Sequence, residues 1–200
     1  MSSISFNPMV TSSPQSSFLK STYGLVQGVF VDDPASNPWL LSGHLDSGVS
    51  QPIWGGMAIT EKVPQPGEYQ LGNTIVLASA NSNFSGFTVF NRANNMVITP
   101  GNTVPQADAL MTVMYFRTGS NARIAVQCDS GLAESLGGGN VNQAVSWDFT
   151  NQKLITFSSG IGALPCKVLQ ITDDTSKIVS YDSMTGAVTW TVGFVALIQI

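Results

Sequence analysis

From Gly24 to Ile200 the apolar residues recur at every second position, in short runs cut by clusters of Gly, Pro, Asn, Asp and Ser. Period two is the spacing of a half-buried strand. A chain of many short strands separated by turns folds as a sandwich, jelly roll or barrel, architectures that close or protect their sheet edges. The expected fold is therefore all-β, a jelly-roll-like sandwich or barrel. No stretch holds the 3.6-residue period over a helical length. A single helical turn is expected at Leu132–Leu136, inside a glycine-rich loop from Asp129 to Asn142.

Turn chemistry places the strands. The spacing predicts one over Gly24–Asp33, stopped at Asp32-Asp33-Pro34, because the residue before a proline is pushed out of the helical region. Others are predicted at Met57–Val63, Leu71–Ser79, Gly86–Asn91 and Asn95–Thr99. Leu110–Arg117 and Ala122–Cys128 flank Thr118-Gly119-Ser120-Asn121, which predicts a hairpin. Trp147–Leu154 and Tyr181–Val188 share one grammar: an aromatic residue, an Asp, a short turn and an apolar outgoing strand. The last run sets Val188, Trp190, Val192, Phe194, Ala196, Ile198 and Ile200 on one face. Residues 1–23, rich in Ser, Pro, Asn and Thr without a period, read as a flexible N-terminal arm. Residues 24–200 form the β-rich body, with room for a small β subdomain.

Composition narrows the function. Hydrophobic residues make up 43% of the 200, enough for a core, while charged residues make up only 10%, against roughly 25% in an ordinary soluble domain. Uncharged hydrogen-bonding surface suits broad protein contact, since charge is depleted in interface cores. The net charge is −4, and the eight Lys and Arg are scattered. Without a basic stripe to neutralise phosphates, neither nucleic acid nor an anionic membrane is an expected partner. No segment reaches the ~20 apolar residues of a membrane helix. The N-terminus has neither a basic start nor an apolar stretch, so the chain is expected to be made and kept in a cytoplasm. Cys128 and Cys166 fit neither a disulfide framework nor a zinc site and are expected as buried thiols.

Residues able to do chemistry are few. His44, the sole histidine, could act as a base oriented by Asp46, two positions on, but no nucleophile motif accompanies it. The acidic pairs Asp32-Asp33 and Asp173-Asp174 point to opposite sides of an extended chain and suit turns better than a shared site. Gly137-Gly138-Gly139 lacks the residues of a phosphate loop. No catalytic residue, cofactor or metal is therefore expected. Of the four tryptophans, Trp147 and Trp190 lie in alternating runs and read as core. Trp39 and Trp54 lie in Pro/Gly-rich segments that can face a partner.

Several stretches, in order, resemble the structural cement (capsid decoration) proteins of tailed bacteriophages. They are Gly24-Leu25-Val26-Gln27-Gly28, Asp32-Asp33-Pro34-Ala35, Pro52-Ile53-Trp54-Gly55-Gly56-Met57-Ala58-Ile59 and Gly86-Phe87-Thr88-Val89-Phe90-Asn91. Phe116-Arg117, Gly119–Ile124, Leu164–Leu169 and Tyr181-Asp182 with Thr185–Trp190 continue the series. Cys166 departs from it, standing where a small residue is expected. The resemblance spans most of residues 22–200. It implies a virion structural protein, made in a bacterial cytoplasm, that binds the outer face of a major-capsid lattice as a dimer or trimer. The implied partners are the major capsid protein and neighbouring copies of the chain. The candidate contacts are Trp39, Pro52, Trp54, Gly55 and Gly56. The alternative is a receptor- or carbohydrate-binding β module at a phage tail.

Overall fold

A computed structural model describes residues 25–31, 37–63, 73–90, 96, 102–172 and 174–200. The predicted arm, Asp32-Asp33, Asp173 and the predicted strand Asn95–Thr99, save Met96, lie outside the described residues.

The fold is all-β around a closed five-stranded barrel. Its strands are β1 (Leu40–Leu45), β2 (Ala58–Lys62), β3 (Asn73–Leu77), β4 (Gly86–Val89) and β5 (Thr112–Arg117), in the order β1-β3-β2-β4-β5. The β1–β3 pair is parallel and the other four are antiparallel. Renumbered from β4, the order reads 1-2-3-5-4, a Greek-key closure of the OB kind with a different starting strand. Closure leaves none of the five with a free edge.

Both faces of β4 and most of β5 are covered, which explains why apolar residues stand on both sides of these two strands. In β5, Val113 and Tyr115 fill the barrel with Leu45, Ile59 and Ile75. Phe116, and Phe87 of β4, point outward into a second core with Trp147, Leu154, Ile124 and Ile198. The rings of Phe87 and Trp147 meet edge to face at 4.8 Å. Burying an aromatic side chain on each side of one sheet contributes several kcal/mol per pair.

The second layer comprises three small sheets. β6 (Arg123–Gln127) and β9 (Lys167–Ile171) flank β12 (Val195–Gln199). β7 (Val145–Asp148) pairs with β8 (Lys153–Thr156), and β10 (Ser176–Asp182) with β11 (Ala187–Gly193). The last two are the hairpins expected at Trp147–Leu154 and Tyr181–Val188. In each, the Asp holds the turn: Asp148 accepts the Thr150 and Asn151 N–H groups, and Asp182 that of Met184. The expected helical turn is α1 (Ser130–Leu136), capped by the Asp129 carboxylate on the Gly131 N–H.

Three expectations are corrected. Leu110–Arg117 and Ala122–Cys128 do not form a hairpin. β5 has β1 and β4 on its two edges, so β6 pairs instead with β12. Gly119 and Asn121, both left-handed (φ 85° and 58°), turn the chain out of the barrel. Gly24–Asp33 is not a continuous strand. Gly28 is left-handed (φ 81°), and only isolated bridges form at Val26 and Phe30. The run Val188–Ile200 is two strands broken at Phe194, and Val192 faces solvent. His44 lies in β1.

Candidate functional site

Of the five candidate contacts, Trp39 presents the largest apolar surface. It ends a 3-10 turn, Asn37–Trp39, before β1 and is 60% exposed. Pro52 is half-buried. Trp54, 6% exposed, and the buried Gly55 and Gly56 serve the chain's own packing. The Gly28 and Gly55 backbones cross so closely that a Cβ on Gly28 would lie 2.6 Å from the Gly55 Cα. Phe90 N–H donates to the Gly28 carbonyl at 2.7 Å, and Gly56 N–H to that of Thr88 at 2.7 Å. The glycines exist because two main chains must touch.

Other large apolar residues are exposed at separate points. Leu110, 68% exposed, sits in the turn whose N–H donates to the Leu45 carbonyl, at the opposite end of β1 from Trp39. That separates them by on the order of 17 Å at strand rise. Val63, the residue after β2, is 89% exposed; Lys62 pairs with Thr74 and Thr74 with His44, so the antiparallel β2 carries Val63 back toward the level of Gly43, in mid-β1. Met184 stands at the tip of the β10–β11 hairpin, 95% exposed.

Several ionisable groups hold the fold. Asp46 meets Lys62 at 2.6 Å, and that hydrogen bond, with one from the Gly48 N–H, holds its carboxyl below the usual range. His44 Nε2 lies 3.2 Å from the Thr74 hydroxyl. The Asp46 carboxylate is thus directed to Lys62, the histidine to a threonine. Arg117 Nε donates to Glu61 at 2.8 Å. Tyr115, inside the barrel, accepts from Asn73 at 2.6 Å, and burial, then Glu61, push its phenol up to about 12. Burial likewise raises the Cys128 and Cys166 thiols to about 12. Cys128 is buried and Cys166 half-buried, neither in a disulfide. Among the described residues no three His, Cys, Asp or Glu side chains cluster as a metal site would require.

A cleft of about 500 Å3 opens where four units meet. Trp54 and Gln51 come from the β1–β2 connection and Gln127 from the end of β6. Asn151 and Gln152 come from the β7–β8 turn, and Ser180, Tyr181 and Ser183 from β10 and its turn. Two buried glutamines fix it. Gln27 accepts the Val179 N–H at 2.8 Å, tying the β10–β11 hairpin to the Leu25–Val31 segment. Gln152 accepts the Ala58 N–H at 2.8 Å and donates to the Phe149 carbonyl at 2.9 Å, tying the β7–β8 turn to the barrel. The Trp54 and Tyr181 rings stand 5.8 Å apart in the wall. Trp54 Nε1–H is buried and has no acceptor among the described residues.

Sequence reasoning missed this cleft because its wall gathers residues over a hundred positions apart, and none of its segments carries a motif. The aromatic-Asp turn grammar was the one local sign of two of its sides. No family model matches the chain, and no curated protein or solved structure matches it either.

Proposed function

We propose that the protein is a virion structural protein that binds the outer surface of a major-capsid lattice and stabilises the assembled shell. The observation that carries this reading is that exposed apolar side chains, Trp39, Val63, Leu110 and Met184 among them, are spread over separate points of a closed, charge-poor β-body. The ordered resemblance to phage cement proteins supports it. A protein bridging several subunits needs rigid spacing between its contacts, and a closed barrel supplies that.

Each contact can be weak. Burying the exposed part of Trp39, on the order of 100–150 Å2, contributes about 3 kcal/mol. A repeating lattice multiplies modest contacts by avidity. Binding the expanded shell in preference to its precursor stabilises the former by mass action.

Quantitative mass spectrometry of purified particles tests the reading. A copy number in simple ratio to the major capsid protein is expected, and Trp39→Ser should weaken binding to isolated shells while leaving the fold intact. Absence from the particle would overturn the proposal. A handful of copies would do so too, placing the protein at the tail.

A further inference from the structure

The cleft between the four units has a chemistry that shell binding does not use. We propose that it binds a neutral oligosaccharide, with amide and hydroxyl side chains bonding sugar hydroxyls and the part-exposed Tyr181 ring, backed by the buried Trp54, taking a sugar's apolar face. This stands apart from the capsid reading, and either can fail alone.

Size and polarity come first. At about 500 Å3 the cleft falls within the roughly 300–1,000 Å3 of small-molecule sites. Such sites are mostly apolar, whereas this one is lined chiefly by glutamine, asparagine, serine and threonine. Among the described residues, the side chains of Gln51, Gln127, Ser180 and Ser183 make no hydrogen bond. An amide offers a donor and an acceptor on one group, and a hydroxyl offers both on one atom. Sugar hydroxyls have the same dual character, so a polyhydroxylated ligand can pair with such a wall in full.

Charge excludes other ligands. Lys153 is the one charged residue among those lining the cleft, and Asp129 holds it at 2.6 Å. Among the described residues, an anionic ligand would find no free cation lining the cleft, and a cationic ligand no carboxylate. A peptide adding a strand would need an open edge. β10, the strand at this wall, has β11 on one edge, and the other is engaged by the Val26–Lys177 bridge and the Gln27 N–H bond to the Lys177 carbonyl.

The aromatic wall supplies the second half of the site. Trp54 and Tyr181 are the two aromatic residues lining the cleft. Such rings offer an apolar face beside a polar tip.

Titration of the full chain with maltohexaose, cellohexaose and chitohexaose, followed by tryptophan fluorescence and calorimetry, tests the proposal. Saturable binding to at least one is expected, with a dissociation constant of millimolar or tighter. Tyr181→Ala and Gln127→Ala should each weaken it at least about tenfold, a loss of roughly 1.4 kcal/mol. Met184→Ala, on the exposed hairpin tip, should not change it. Gln127 makes no side-chain hydrogen bond to the described fold, so its variant keeps the test valid if Tyr181→Ala unfolds. No saturable binding to any of the three at on the order of 10 mM would overturn the proposal. Binding that Gln127→Ala leaves intact, or that a heparin hexasaccharide or an unrelated peptide reproduces equally, would also overturn it.

Discussion

Gln152 is the point at which the β7–β8 hairpin is fastened to the barrel, and replacing it should cost far more than its place in a turn suggests. Its side chain accepts the Ala58 N–H of β2 at 2.8 Å and donates to the Phe149 carbonyl at 2.9 Å. Gln152→Ala removes both bonds, and a longer one donated to the Ala78 carbonyl at 3.5 Å, and leaves the Ala58 N–H buried without an acceptor, which costs about 1–3 kcal/mol. Lost packing of the buried side chain adds to this, for a total on the order of 2–4 kcal/mol. The left-handed backbone at Gln152 (φ 53°) does not alter the sum, because Gln and Ala bear that strain alike. For a chain of this length each kcal/mol moves Tm by roughly 2–4 °C, so Tm should fall by on the order of 5–15 °C. Gln152→Met, which keeps the length and loses the bonds, should fall nearly as far. Asn151→Ala, at the exposed neighbour, should stay within about 1 kcal/mol. Urea unfolding read from the fluorescence of the buried Trp147 measures all three. A loss below about 0.5 kcal/mol for both Gln152 variants would refute the view that this amide joins the two layers.

Two further outcomes are expected. Asp129 is held below its ordinary pKa by Lys153 and then by the Gly131 N–H, and Asp148 by its Asn151 and Thr150 hydrogen bonds, which outweigh the opposing effect of burial. A carboxyl depressed in the folded state stabilises above its unfolded value, near 3.9, and loses that contribution as pH falls through the folded pKa. The urea midpoint should therefore be level from about pH 7 to 5 and drop below about pH 4, with a shallower drop in an Asp129→Asn, Asp148→Asn double variant. Both thiols, raised to about 12, should resist a disulfide reagent at pH 8 in the native protein and react as two equivalents in urea; a fast native thiol would contradict their burial.

The reading of individual segments depended on how far apart their partners lie. The hairpins Val145–Thr156 and Ser176–Gly193 were legible because an Asp in each turn binds main-chain groups two or three residues away. The false hairpin around Thr118–Asn121 had equally good turn residues. The capture of both β5 edges by β1 and β4 decided against it. β1 escaped notice because Ser42-Gly43-His44 breaks its apolar pattern, and Gly43 packs against β3, where a Cβ would lie 2.6 Å from the Asn73 carbonyl. Of the candidate contacts, Trp39 looked exposed in sequence and is. The composition around Trp54-Gly55-Gly56 looked the same, yet a second backbone crosses there and buries it.

The sequence by itself determined the class of fold, the two Asp-fastened hairpins, the helical turn at Leu132–Leu136 and the scarcity of charge. These follow from side-chain period, local turn bonds and composition, none of which depends on distant residues. Closure of the barrel, the pairing of β6 with β12 and the gathering of Gln51, Trp54, Gln127 and Tyr181 around one cleft were decided only in three dimensions. Each joins segments far apart in the chain, and which strand meets which edge depends on the edges already filled.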